Sequence, residues 1–222
     1  MDSKTSTTDF PDDGMVSEED HVRITQAIRR AEKRTSGEIY AVVAHASDDY
    51  FYVAGFMAAV WSLLMALIMA AIAWTMAVPV SPFTIAAAQA LALAVILMVF
   101  AFKPTWRLLF VPHGIAHRRA SNNALRQFLA HGVHATQERS GILLFVSIAE
   151  HHAQVVADAG INEKVTQSDW DEIVVMLTSH AKRGKLSDGF LQAIERSADL
   201  LASHYPPSPN QQNELDDRLV EI

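Results

Sequence analysis

A long apolar stretch constrains this chain more than any other feature of its sequence. The stretch Tyr50–Phe102 contains no Asp, Glu, Lys, Arg or His, and it is interrupted once, by Pro79-Val80-Ser81-Pro82. Since a helix needs about 20 apolar residues to cross a bilayer, this length suffices for two crossings, and prolines suit the tight turn between them. The sequence therefore predicts a transmembrane helical hairpin over residues 50–103, with helices at Ala54–Val78 and Thr84–Phe102.

Basic residues flank the apolar stretch on both sides, whereas the turn within it carries none. Before the hairpin lie Arg29, Arg30, Lys33 and Arg34, and after it lie Lys103, Arg107, Arg118 and Arg119. Because cytoplasmic segments are enriched in Lys and Arg, both termini are expected in the cytoplasm and the turn outside. The first residues lack the basic and apolar regions of a signal peptide, so we expect a protein of the inner membrane with two helices.

The remaining sequence predicts one α/β domain, formed by residues 16–49 and 104–206. In the runs Glu38–Ala44 and Gly141–Ser147, all residues except Glu38 and Ser147 are apolar, and continuous apolarity is typical of parallel strands buried on both faces. A third strand at Ala153–Ala159 is expected to return antiparallel to the second. Residues 1–15 are expected to be flexible, and residues 207–222 to form a C-terminal tail.

Helical periodicity predicts the elements around these strands. Ser17 begins a helix that should run to about Arg34, and another helix should follow Pro112 and end near His131 or His134. Two further helices are predicted at Ser168–Lys182 and Ser187–His204, the last of which is ended by a proline pair.

Charge and composition exclude some classes of function. The net charge is −7 and no clustered basic face is visible, which argues against a nucleic-acid partner. The chain has no cysteine, so disulfides, thiolate catalysis and Cys-bound zinc are excluded. Two apolar helices without charged residues do not line an aqueous path unless several copies assemble, which disfavours a transporter or channel.

Three segments of the soluble part carry a resemblance to a known family. They are Ala27–Ile39 (AIRRAEKRTSGEI), Thr136–Val146 (TQERSGILLFV) and Asp158–Ile161. In these segments the chain resembles the TPM domain family, which includes plant thylakoid phosphatase-like and photosystem II repair proteins. The resemblance implies a Rossmann-like sandwich with a small mixed sheet, here interrupted by the hairpin. It also implies that acid phosphatase activity or a calcium site is possible, since some members are credited with them.

The predicted topology brings three charged residues to one edge of the sheet. Glu38 and Arg139 stand at the starts of the first two strands, and Asp158 stands at the end of the third. One interpretation is a metal or phosphate site in which Glu38 and Asp158 bind a hard cation such as calcium through oxygen ligands. The other is a structural ion pair between Glu38 and Arg139, in which case Glu38→Gln should lower stability.

The opposite edge of the sheet should carry Ser147, Glu150, His151 and His152, with Asp48 and Asp49 next to the hairpin. Carboxyl ends of parallel strands are a common location for ligands. Elsewhere in the chain, His113 and His117 are four residues apart and would share one face of a helix. A zinc protease motif needs Glu directly after the first His, and Gly114 occupies that position.

These patterns favour an accessory or assembly module at the cytoplasmic face of the membrane over an enzyme. The expected partners are the lipid bilayer and a membrane protein that the sequence does not identify. The alternative is a membrane-tethered, metal-dependent phosphatase. No cofactor is predicted with the exception of the possible calcium ion.

Overall fold

A computed structural model describes residues 15–208 and 213–222, so most of the predicted flexible segment 1–15 lies outside the described residues. In chain order, the helices are α1 (Glu18–Glu32), α2 (Phe51–Thr75), α3 (Pro82–Phe102), α4 (His113–Ala130), α5 (Ala159–Asn162), α6 (Gln167–Ala181) and α7 (Leu186–His204). The strands are β1 (Glu38–Ala44), β2 (Gly141–Ser147), β3 (His152–Ala157) and β4 (Leu219–Glu221). Short 3₁₀ segments lie at Pro104–Phe110 and Val133–Ala135. The chain forms two compact units, residues 48–118 and the remainder.

The larger unit contains a mixed four-stranded sheet in the order β3-β2-β1-β4. β1 and β2 are parallel, with Glu38 opposite Gly141, and β3 returns antiparallel to β2. The mixed sheet predicted from the sequence is therefore confirmed. The fourth strand was not predicted: Leu219 lies opposite Ala41, and β4 runs parallel to β1. Three residues are too few to show a strand period.

Helices cover both faces of the sheet, which explains why β1 is apolar from Ile39 to Ala44 and β2 from Gly141 to Val146. Alternate side chains of β1, such as Ile39 and Ala41, pack in a core with α1, α6 and α7. The intervening side chains, such as Tyr40 and Val42, pack with Phe128 of α4. In a strand buried on both faces, a polar side chain costs free energy unless it has a hydrogen-bond partner.

The start of β1 is held by the loop that follows α1. Ser17 begins α1 by accepting a hydrogen bond from the Asp20 N–H group at 3.2 Å. After the helix, the Thr35 hydroxyl donates to the Tyr205 carbonyl at 2.7 Å and accepts from the Gly37 N–H group at 3.0 Å. These bonds fix the backbone immediately before Glu38.

In the smaller unit, α2 and α3 are antiparallel neighbours. A Cβ atom at Gly55, near the start of α2, would lie 3.3 Å from the Leu97 side chain near the end of α3. The helices have 25 and 21 residues. In the most apolar 18-residue stretch of each helix, only 6% is buried within the chain. By length and composition, both are suited to cross a membrane.

The observed helices begin two or three residues earlier than predicted. α2 begins at Phe51, directly after Tyr50, which has a positive φ of 59° and ends the preceding loop. α3 begins at Pro82, and Ser81 accepts a hydrogen bond from the Phe83 N–H group at 3.3 Å. Proline suits the first turn of a helix because its missing N–H group would have no partner there.

Candidate functional site

The sheet topology brings the three predicted site residues to one edge of the sheet. Glu38 is the first residue of β1, Arg139 precedes β2 by two residues, and Asp158 directly follows β3. His152 pairs with Ser147 at the opposite end of the same strands. The directions of the paired strands therefore determine which charged residues share an edge.

Arg139 pairs with Asp158 at this edge. The Arg139 Nε atom lies 3.7 Å from the Asp158 Oδ1 atom. Arg139 has a positive φ of 53°, and its carbonyl oxygen lies so close to Gly160 that a Cβ atom there would be 2.7 Å from it. Among the described residues no ion pair joins Arg139 to Glu38. Arg139 stands outside the strand ladder, so the register of β1 and β2 does not direct its side chain toward Glu38.

Asp158 is the N-cap residue of α5. Its Oδ1 atom accepts a hydrogen bond from the Ala159 N–H group at 2.5 Å. The residue is 5% exposed, and its Oδ2 atom is buried without a hydrogen-bond partner among the described residues. The helix cap and the arginine therefore both contact the Oδ1 atom of this side chain.

Glu38 instead belongs to a cleft between the end of α1 and the C-terminal segment. The cleft has a volume of about 460 Å³ and is lined by Arg29, Glu32, Lys33, Glu38, Pro207, Ser208, Asn213 and Asp217. Because three carboxyl groups line it, we call it the acidic cleft. Asp158 does not line it.

The carboxyl groups of the acidic cleft differ in how well they are paired. Asp217 accepts from Arg29 Nε at 2.9 Å and from Asn213 Nδ2 at 2.6 Å. Glu32 accepts from the Ile39 N–H group at 3.3 Å. Glu38 is 2% exposed; its Oε1 atom accepts a long bond of 3.5 Å from the Glu214 N–H group, and its Oε2 atom is buried without a partner. Glu38 is therefore the least satisfied of the three.

Burial changes the protonation of this pair of glutamates. Burial and, to a lesser extent, the charge of Glu38 raise the pKa of Glu32 to about 9, although the hydrogen bond from the Ile39 N–H group lowers it. Burial, together with the charges of Glu214 and Asp217, raises the pKa of Glu38 to about 7. The hydrogen bond from the Glu214 N–H group acts in the opposite direction and lowers the pKa. At neutral pH Glu32 therefore holds a proton, and Glu38 is near its midpoint.

A cleft of this kind suits either proton transfer or cation binding. A carboxyl group near its midpoint at pH 7 exchanges protons readily, and a hard cation would take the place of those protons with carboxylate oxygens as ligands. Within the described residues, however, no three His, Asp or Glu side chains form a group able to hold a metal ion. Calcium binding by Glu38 and Asp158 stays a prediction.

Two residues of the acidic cleft were missed by the sequence analysis. Glu32 lies four residues after Ile28, a buried residue of α1, so helical periodicity already placed a carboxylate next to the buried stripe. Asp217 gave no such signal, because its position depends on the return of the C-terminal segment to the sheet.

The opposite edge of the sheet contains a hydrogen-bonded network. The Ser47 N–H group donates to Glu150 Oε1 at 2.8 Å, and the hydroxyl groups of Ser47 and Ser147 lie 2.9 Å apart. The Ser147 hydroxyl also donates to Glu150. These contacts join the ends of β1 and β2, which is a structural role for Glu150.

Comparison with known proteins gives two matches. The sequence model described as the TPM domain matches residues 108–200, which include Arg139 and Asp158 but not the two glutamates of the acidic cleft. The NMR structure of the BA42 protein from the psychrophilic bacterium Bizionia argentinensis aligns with a TM-score of 0.59 and 18% sequence identity. The alignment covers 95% of this chain and 97% of that chain, and it shows a shared fold. No curated protein matches the chain significantly.

Proposed function

Because this chain belongs to the TPM domain family, we propose that it is a membrane-anchored TPM protein acting as an accessory or assembly module at the cytoplasmic face of the inner membrane. The observation that carries the proposal is the pair α2 and α3, which are long enough to cross a bilayer and are almost unburied within the chain. Apolar side chains such as Leu67 and Leu91 are 60% and 68% exposed, a surface that lipid tails would cover.

The proposed organisation follows from this anchor. Residues 50–103 form the transmembrane hairpin, and residues 16–49 and 104–206 form the TPM domain, a Rossmann-like sandwich with helices on both faces of its sheet. The basic residues on both flanks of the hairpin support a cytoplasmic location of both termini. Residues 207–222 form a tail that contributes β4.

Topology is tested with reporter fusions of the full-length chain after residue 49, within the turn at Ser81, and at the C-terminus. The proposal expects an external signal from the turn alone. An external signal from either flank would contradict it. Resistance of the protein to alkaline extraction from membranes tests the anchor independently of orientation.

A second candidate function, metal-dependent phosphatase activity, is favoured by the acidic cleft. Its protonated Glu32 would serve as a general acid toward a leaving group, while Arg29 and Lys33 supply positive charge for a phosphate group. A calcium ion held by Glu38 in the cleft would supply a Lewis acid, whereas Asp158, the second ligand predicted from the sequence, lies outside the cleft.

The two candidates are separated by assaying phosphatase activity of the full-length protein in detergent, with calcium or magnesium present and with both removed. Metal-dependent turnover that is lost in Glu32→Gln, Glu38→Gln or Asp158→Asn, and kept in the exposed control Glu163→Gln, would establish the enzyme. Absence of turnover under all conditions would leave the accessory role, which is then pursued by identifying proteins that copurify in mild detergent.

A further inference from the structure

The segment that follows the hairpin is unusual in its charge. Although the whole chain has a net charge of −7, no Asp or Glu occurs between Tyr50 and Gln137. Within the smaller unit, Lys103, Arg107 and Arg118 follow α3 in this acid-free stretch. The positive charge of this segment therefore lies directly next to the apolar hairpin in the sequence.

Arg107 holds this segment against the end of the hairpin. Its Nε atom donates to the Phe100 carbonyl at 2.9 Å, its guanidinium group pairs with the Asp49 carboxylate, and it lies 5.2 Å from the centroid of the Phe51 ring. The Phe110 ring packs edge to face on Phe100 at 5.1 Å. Arg107 is thus neutralised by Asp49 and is a positioning residue.

The segment held in this way presents apolar side chains outward. Trp106 and Leu109, in the 3₁₀ segment, are 54% and 78% exposed. Lys103 and Arg118 are also exposed, and among the described residues neither has an ion-pair partner. Exposed tryptophan beside unpaired cations is the composition of a surface that lies at a membrane interface.

We propose that residues 103–118, the juxtamembrane segment, bind anionic phospholipid headgroups, with Trp106 and Leu109 inserted at the interface and Lys103 and Arg118 against lipid phosphates. This inference rests on the proposed membrane anchor and adds the class of lipid. A zwitterionic headgroup offers no net negative charge, whereas an anionic one attracts each nearby cation with about 1 kcal/mol, or about fivefold in affinity.

Lipid selectivity is measured on the full-length protein reconstituted in phosphatidylcholine bilayers that contain spin-labelled phosphatidylglycerol or spin-labelled phosphatidylcholine. We expect the motionally restricted fraction to favour phosphatidylglycerol, and the double variant Lys103→Gln with Arg118→Gln to lose most of that preference, up to about fivefold for each cation. The control is Lys182→Gln with Arg183→Gln, which removes the same charge from exposed positions at the end of α6.

The position of the segment is tested in the same bilayers. Because the chain has no cysteine, a single spin label at Leu109→Cys reports its depth without background, and Val175→Cys, 63% exposed on α6, is the matched control. We expect the label at position 109 to be accessible to oxygen dissolved in the bilayer and shielded from a water-soluble relaxant, and the label at position 175 to show the reverse.

The outcomes separate this inference from the anchor itself. Retention of the protein in the bilayer without preference for phosphatidylglycerol, or with a preference unchanged in the Lys103 and Arg118 variant, would overturn the lipid proposal alone. A water-exposed label at position 109 would do the same. Loss of the protein from the bilayer on alkaline extraction would overturn the anchor and the lipid proposal together.

Discussion

Glutamine at position 38 should stabilise the protein at neutral pH. In the folded chain the pKa of Glu38 is about 7, and its ordinary value is 4.5. Since the folded state holds the proton more tightly, ionisation of this carboxyl group favours unfolding, and the stability of the wild type should fall as the pH rises from 4.5 through 7. At pH 7 the difference in pKa corresponds to about 3 kcal/mol, and at pH 5 to about 1 kcal/mol.

Glu38→Gln removes this ionisation and keeps an oxygen for the Glu214 N–H group. We therefore expect the variant to gain up to about 3 kcal/mol over the wild type between pH 7 and 8, and about 1 kcal/mol or less at pH 5. A structural ion pair between Glu38 and Arg139 would give the opposite result, a loss of stability in Glu38→Gln. In the structure Arg139 pairs with Asp158 instead.

The assay is urea unfolding of the detergent-solubilised full-length chain at pH 5, 6, 7 and 8. Trp170, which is buried in the larger unit, serves as the only reporter when the three other tryptophans are replaced with phenylalanine. Glu163→Gln, on the exposed surface, is the control and should follow the wild type at every pH. Glu38→Gln that is less stable than the wild type at pH 7, or that gains the same amount at pH 5 and pH 8, would refute the reasoning.

Three further changes have expected outcomes. Gly141→Ala should lower the stability by about 3 kcal/mol or more in the same urea assay, because the added Cβ atom would lie 2.1 Å from the Val133 carbonyl oxygen. Gly114→Ala is the control: the added Cβ atom would have no neighbouring atom within 4 Å, so the change should be neutral or slightly stabilising. Leu67→Arg should raise the free energy of membrane insertion of the hairpin by about 2.5–3.5 kcal/mol. A glycosylation acceptor placed in the turn at residues 79–83 should then be modified less than in the wild type. Unchanged modification would contradict the proposal that α2 crosses the membrane. Glu221→Ala should lower the stability by about 1–3 kcal/mol, since the Glu221 carboxylate accepts hydrogen bonds of 3.0 Å from the N–H groups of Met15 and Val16. An unchanged urea midpoint would show that these two hydrogen bonds do not contribute.

Local sequence patterns predicted the elements of this protein closely. β1 and β2 have the predicted bounds, because a continuous apolar run of six residues in each, between polar loops, leaves few other structures. The apolar hairpin was equally evident, since the absence of charge over Tyr50–Phe102 is a property of composition and not of packing. The parallel and antiparallel pairings followed from the order of these elements, and they correctly placed Glu38, Arg139 and Asp158 at one edge.

The partners of the charged residues were decided only by the tertiary structure. Arg139 pairs with Asp158 because a positive φ and the short α5 bring them together, and neither feature has a periodic signal. Glu38 lies beside Glu214, 176 residues further along the chain, because β4 returns to β1 at the end of the sequence. Sequence patterns report how each segment contacts water and the core, which is a local property. The pKa of a buried carboxyl group depends on the atoms that surround it, and here those atoms come from opposite ends of the chain.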